Sequence, residues 1–304
     1  MPPATAARVL ALPFLCIWFQ LDGAIALVST LGLAVARAMV PLSERATAGA
    51  TLAGAVVAAA LVAATPRGWR SRRPYELPPE TPPWVIAIER VATRYASAAS
   101  ARPTERTQFQ WVRTKLLGEP VAKIVAELAA GTVLDVGCGR GALALLLLLL
   151  GRVSRVHGID WDAGKIAAAA RAAEGLDASF VRGDARTTPF EAADTVLLID
   201  LLHYFAVDEQ DAILARAAAA VRPGGRLLVR EADAAAGWRS FVTLLEERTF
   251  TFLRVNRGER VRFRPARELA ARLEAAGLSC EIRPARAGTP FSNVLIVGRR
   301  PARG

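Results

Sequence analysis

The sequence predicts an α/β fold, a mostly parallel sheet with helices on both faces. Three observations carry that expectation. Short apolar runs recur and end in an acidic residue: Thr132–Asp135, Arg155–Asp160, Phe180–Asp184 and Asp194–Asp200. A glycine-rich turn, Gly137-Cys138-Gly139-Arg140-Gly141, leads from the first of these into an apolar helical stretch. The intervals between runs suit the helical crossovers that parallel strands require.

The chain has 304 residues, of which 53% are hydrophobic, so membrane segments are the first question. Ala46–Thr65 is twenty residues without a charge, and a span needs about 20 apolar residues. Its alanines and glycines suit close packing on another helix. Val9–Ala36 is also apolar, apart from Gln20, Asp22, Ser29 and Thr30. Asp22 is awkward there, because a carboxylate deep in a bilayer costs about 2.5–3.5 kcal/mol on insertion scales. The reading is a two-helix transmembrane hairpin over residues 1–66. Its short outer turn lies near Pro41–Arg45, and the cluster Arg67, Arg70, Arg72, Arg73 faces the cytoplasm. Ala24-Ile25-Ala26 as a signal-peptide cleavage site is the alternative. Residues 67–103 follow as a basic linker with Pro74, Pro78, Pro79, Pro82 and Pro83, then an amphipathic helix from Trp84 to Ser100 with Trp84, Ile88 and Val91 at helical spacing. That helix can lie on a membrane or pack on the domain, and the sequence does not choose.

Residues 104–304 form the main domain. Thr132–Val136 reads as a buried strand, and the glycines after it permit positive φ and close approach of a ligand. Ala142–Leu150 ends in a run of six leucines but is only nine residues long, too short to span a bilayer, so it reads as a helix packed on the sheet. Two fingerprints fit the turn: GxGxxA, as in dinucleotide sites, and DxGxGxG counted from Asp135. Asp160 follows Gly139 by 21 residues and can accept hydrogen bonds from both hydroxyls of a ribose. Asp208–Val221 is a helix, and Arg222-Pro223-Gly224-Gly225-Arg226 is a turn into the strand LLVRE. Arg267–Ala276 reads as a last helix, before strands near Ser279–Arg283 and Asn293–Val297.

The succession VLDVGCGRG, GIDWD, FVRGDA, ADTVLLIDLLHYF and VRPGGRLLVRE resembles the class I S-adenosylmethionine-dependent methyltransferases over residues 133–231. The resemblance implies a Rossmann-like seven-stranded sheet ending in an antiparallel hairpin, with S-adenosyl-L-methionine as cofactor. It places Asp135, Gly137, Cys138, Gly139 and Gly141 around the methionine part. Asp160 would hold the ribose with Trp161 beside it, and Asp184 and Ala185 would meet the adenine. Asp200 and Leu201 would border the reactive methyl. Asp162 reads better as the N-cap of the next helix than as a ligand.

Three residues near that edge are candidates for acting on the acceptor: His203, Asp200 and Glu231. His203 lies three residues past Asp200, and a pKa near 6.5 suits proton removal from a hydroxyl or amine. The competing reading is that His203 and Tyr204 pack or hydrogen-bond beneath the cofactor. Asp233 also points to this edge. The insertion Ala234–Phe263 carries Trp238, Phe241, Phe250, Phe252 and Phe263, which either cap an apolar acceptor or fill a helical core. Phe109, Trp111, Arg113 and Lys115 are candidates for another wall.

The net charge is +11, yet there is no basic face interleaved with aromatics and no nucleic-acid motif, so an anionic membrane surface suits the charge better than nucleic acid. Three dispersed cysteines and two histidines fit neither a disulfide framework nor a zinc site. The expectation is a membrane-anchored methyltransferase, its catalytic domain cytoplasmic, acting on an apolar, membrane-associated or carrier-bound small molecule, with oxygen preferred as acceptor atom. A non-catalytic cofactor-binding scaffold and a nicotinamide oxidoreductase are the alternatives.

Overall fold

The computed structural model describes residues 79–95, 103–240, 243–244, 261–286 and 291–302. The transmembrane hairpin expected over residues 1–66 lies outside them. No helix among the described residues is long and apolar enough to cross a membrane. Contacts divide the chain into two compact units, and the larger contains residues 83–94 and 118–304. Helix α2 (Pro103–Gly118) lies almost wholly in the other unit, where the Lys115 ammonium sits 5.2 Å from the Trp111 ring centroid.

The larger unit is built on a seven-stranded sheet in the order β3-β2-β1-β4-β5-β7-β6. Its strands are β1 (Thr132–Val136), β2 (Arg155–Asp160), β3 (Ala178–Arg182), β4 (Ala193–Ile199), β5 (Val221–Ala232), β6 (Ser279–Pro284) and β7 (Asn293–Arg299). β1 to β5 are parallel, whereas β7 runs antiparallel to both β5 and β6. The order reverses at β1, where its neighbours are β2 and β4, and that switch point opens a crevice at the carboxyl ends of the strands.

Alternation along each strand feeds two cores. Leu134, Val136, Val196, Leu198, Leu227, Val229, Val294 and Ile296 face α6 (Val207–Ala220) and α7 (Ala266–Ala275). Val133, Val156, Leu197, Leu228, Leu295 and Val297 face the other way, toward α3 (Pro120–Leu128) and α4 (Ala142–Leu149). Central strands buried on both faces read as continuous apolar runs, the sequence signature of parallel sheets. Leu145, Leu146 and Leu147 are fully buried on α4, and each such side chain contributes about 1.5–3 kcal/mol by leaving water. The leucine run is therefore core.

Helix α1 (Pro83–Tyr95) packs on the domain. Trp84 rests against the α3–α4 core, and the Arg94 guanidinium donates to the carbonyls of Ala172 and Glu174, at and just beyond the end of α5 (Ala163–Ala172). Two strand ends differ from the sequence reading. β3 stops at Arg182, because Gly183 N–H donates to the Asp160 carbonyl (2.9 Å) and the chain then turns at Asp184. β5 starts early, at Val221, which pairs with Ala193. The next paired residue is Arg226, so the Pro-Gly-Gly turn is a bulge within the strand.

Candidate functional site

The glycine turn is held from below by β2. Gly137 and Cys138 N–H both donate to the Ile159 carbonyl (2.8 and 3.1 Å), and Gly141 N–H donates to the Cys138 carbonyl (2.8 Å). Gly137, Gly139 and Gly141 all have positive φ, which L side chains rarely adopt. Their surroundings differ. A Cβ on Gly141 would meet the Phe180 ring at 2.6 Å, and one on Gly137 would meet Leu201 at 2.7 Å. A Cβ on Gly139 would meet nothing within 4 Å, so this peptide faces open space above the turn. The Cys138 thiol has its pKa pushed far up by burial, and then by the Asp135 and Asp160 carboxylates, which leaves it an inert thiol.

Asp160 is buried at the end of β2. One carboxylate oxygen accepts from Gly139 N–H (2.9 Å) and the other from Asp162 N–H (2.9 Å). It therefore ties the glycine turn to β2, while a carboxylate's four lone-pair sites leave room for two further donors. Trp161 beside it is 41% exposed. Asp162 caps α5 through Gly164 and Lys165 N–H, as its sequence position suggested. The Lys165 N–H bond is the main reason its pKa is lowered.

Asp184 lies just past β3. It accepts from the backbone and guanidinium of Arg186, whose other arm reaches Glu209 at 3.0 Å. Those Arg186 bonds hold the Asp184 carboxyl below its usual range. Ala185 follows, its carbonyl accepting from Arg216 (2.7 Å).

The post-β4 loop brings the remaining expected residues together. Asp200, 30% exposed, has φ +54°, and its N–H donates to the Arg230 carbonyl (3.0 Å). Leu201 covers Gly137. Leu201 and Leu202 N–H donate to one Glu231 oxygen (3.0 and 2.7 Å), and His203 Nδ1 bonds the other at 2.7 Å. The His203 and Glu231 side chains are only 3% and 4% exposed. The rings of Tyr204 and Phe263 stand 4.1 and 5.2 Å from the His203 ring. Arg262 N–H bonds the His203 carbonyl (2.8 Å), and Gln210 bonds the Arg262 carbonyl (3.1 Å), so the segment that carries Phe263 is fastened to this loop.

Asp233 is engaged by backbone donors through one carboxylate oxygen. Its carboxylate accepts from Ala235 N–H (3.0 Å) and from Ala266 N–H (3.1 Å) at the start of α7. Trp238 is exposed beneath Arg239, whereas Phe241, Phe250 and Phe252 lie outside the described residues. Sequence reasoning missed Arg230 and Glu119. Arg230 is buried, bonds the Asp200 carboxylate and lies 3.9 Å from Glu119. Burial by itself would lower its pKa, but the Asp200, Glu119 and Glu231 charges outweigh burial and raise it. For Arg230 the available signal was a charge directly after the apolar run Leu227–Val229.

The comparisons with known proteins agree with this geometry. Residues 133–225 match the family model described as a methyltransferase domain. An O-methyltransferase family protein from Burkholderia thailandensis is similar in fold: 23% identity, 78% of this chain and 67% of that chain covered, TM-score 0.51. The pyocyanin biosynthetic protein PhzM is similar at 20% identity, with 66% of this chain and 59% of that chain covered and a TM-score of 0.51. No curated protein matches the chain.

Proposed function

We propose that the chain transfers a methyl group from S-adenosyl-L-methionine to an apolar small molecule that is membrane-associated or carrier-bound. The observation that carries the reading is the glycine turn itself: three positive-φ glycines between the carboxylates of Asp135 and Asp160, with Gly139 open to a ligand. The match of residues 133–225 to a methyltransferase domain supports the same cofactor.

The residues present fit that cofactor. Asp135, Asp160, Asp184 and Asp200 stand at or just past the carboxyl ends of β1 to β4; Asp184 and Asp200 are paired with Arg186 and Arg230, and Asp135 and Asp160 beside the glycine turn suit a cation. A dinucleotide would instead bring a pyrophosphate to the glycine turn beside the Asp135 carboxylate, which disfavours the nicotinamide reading, whereas Asp160 would suit the ribose of either cofactor. Asp160 would take the ribose hydroxyls, Asp184 and Ala185 the adenine, and Gly137 to Gly141 the methionine portion. When bound, the cofactor supplies an electrophilic methyl on a sulfonium, displaced in line with a neutral leaving group. The protein's share is orientation and exclusion of water. Leu201 and Leu202, pinned by Glu231, supply an apolar wall at that edge.

A specific observation favours a structural role for His203. A general base must reach its acceptor, and His203 is enclosed by Glu231, Tyr204 and Phe263. The bond to Glu231 favours the tautomer with Nδ1 protonated, which leaves basicity on Nε2. His203→Asn separates the roles. Preserved turnover supports a tie between loop and strand, and a loss of about a hundredfold with intact cofactor affinity supports a base.

Oxygen as acceptor atom is in keeping with the description of the Burkholderia thailandensis protein as an O-methyltransferase family protein. The apolar N-terminal region is the ground for placing the acceptor at a membrane. The test is calorimetric titration of the full chain with S-adenosylhomocysteine beside Asp160→Ala, followed by labelled methyl transfer into membrane extracts. Binding that the substitution weakens at least tenfold is expected. A folded chain that binds NADH and not S-adenosylhomocysteine would overturn the proposal.

A further inference from the structure

We propose that Arg230 is a positioning residue for cofactor binding at this site, acting through Asp200. The inference rests on the methyltransferase reading above. Its ground is a conformational outlier: Asp200 is the single non-glycine residue with positive φ among the described residues, at +54°. Such conformations persist where the surroundings over-determine them, and they concentrate at functional sites.

Arg230 supplies that determination twice. Its carbonyl accepts the Asp200 N–H at 3.0 Å, and its guanidinium pairs with the Asp200 carboxylate. The same guanidinium lies 3.9 Å from Glu119, the residue that precedes α3. Glu119 and Asp200 therefore flank a cation whose side chain is 8% exposed. The Arg230 Nε is buried with no hydrogen-bond partner. A guanidinium left partly unsatisfied in a strand interior is a poor device for stability alone.

The consequence reaches the cofactor turn through one residue. Leu201, directly after Asp200, lies so close to Gly137 that a Cβ there would be 2.7 Å from its Cδ1. Turning Asp200 out of its left-handed conformation would carry Leu201 away from the glycine turn. Neighbouring strand residues point to opposite faces, and β5 uses both. Arg230 grips Asp200 on one side, while Glu231 takes Leu201 N–H, Leu202 N–H and His203 on the other. Two consecutive residues of β5 thus hold four consecutive residues of the loop that borders the methyl.

The experiment is a double-mutant cycle on the full chain, read as S-adenosylhomocysteine affinity by calorimetry, with thermal unfolding recorded for each variant. Arg230→Met and Asp200→Asn are each expected to weaken affinity at least tenfold. The double variant should be no worse than the poorer single, because both remove one interaction. Arg230→Lys, which keeps the charge, should recover most of the affinity at an unchanged unfolding midpoint. Losses that multiply in the double variant, or unchanged affinity in Arg230→Met, would overturn the inference while leaving the cofactor reading intact. Absence of binding by the wild-type chain would overturn both. Should Arg230→Met not fold, the cycle runs with Arg230→Gln, which also removes the charge, and Asp200→Asn, where non-additivity is again the expected result and additivity the refutation.

Discussion

At the scale of single residues, the three glycines of the turn share a backbone requirement but not a neighbourhood. Replacing Gly139 by Ala imposes a left-handed conformation costing about 1–2 kcal/mol and puts a methyl into the open space assigned to the cofactor. Replacing Gly141 adds a collision with Phe180 to the same strain. Gly139→Ala is therefore expected to fold and lose S-adenosylhomocysteine binding, whereas Gly141→Ala should show the larger drop in thermal midpoint. Calorimetry and thermal denaturation on both variants separate the two. Glu231 gives the other prediction at this scale. Its carboxylate serves two backbone N–H groups and His203 with almost no exposure, so Glu231→Ala leaves buried donors without their acceptor. A loss of about 3 kcal/mol is expected in denaturant titration, against a smaller one for Glu231→Gln, which keeps one amide oxygen.

At the scale of elements, polar ties at the two ends of the sheet do different work. Asp194, at the start of β4, accepts from Thr132 N–H and hydroxyl (2.7 and 2.8 Å) and pairs with Arg222, joining β1, β4 and β5 away from the site. The Thr132 N–H bond is the leading cause that holds the Asp194 pKa below its ordinary value of about 3.9. A depressed carboxylate stabilises the fold fully above its unfolded pKa. That contribution disappears as pH falls from about 4 through the lower folded value. Asp194→Asn should therefore lower stability at neutral pH and flatten the acid limb of the stability–pH curve; an unchanged limb would show that the tie is energetically silent. Helix α1 makes a second prediction. Trp84 and Arg94 attach it to the α3–α4 core and to α5, so a chain beginning at residue 79 should melt higher than one beginning at 104.

At the scale of the whole molecule, the apolar N-terminal region bears on where the proposed reaction takes place. The apolar stretches Val9–Ala36 and Ala46–Thr65 and the arginines after Pro66 favour a hairpin with both ends in the cytoplasm. A reporter fused after Arg73 is expected to read as cytoplasmic, and an exported reporter would reverse the arrangement. The full chain is expected to sediment with membranes, and removal of residues 1–78 to release the α/β domain.

The succession of elements was legible in local patterning alone. β1, β2, α4 and α6 lie within a residue of their expected ends, because runs of buried aliphatic residues, flanking glycines and helical spacing are local signals. The recurring acids at strand ends were legible for the same reason. The tertiary structure decided what each acid does. Asp160 meets Gly139 from 21 residues away, Glu231 meets His203 from 28, and Arg230 meets Asp200 from 30. Such pairings follow from strand order and register, which bring distant segments to one edge, and no local periodicity records them. The same holds for Phe263, whose ring beside His203 depends on how the end of an insertion is fastened to the post-β4 loop. Composition and spacing could place these side chains at one end of the sheet, but only the packed neighbours determine which of them remain open to a ligand and which are spent holding the site in shape.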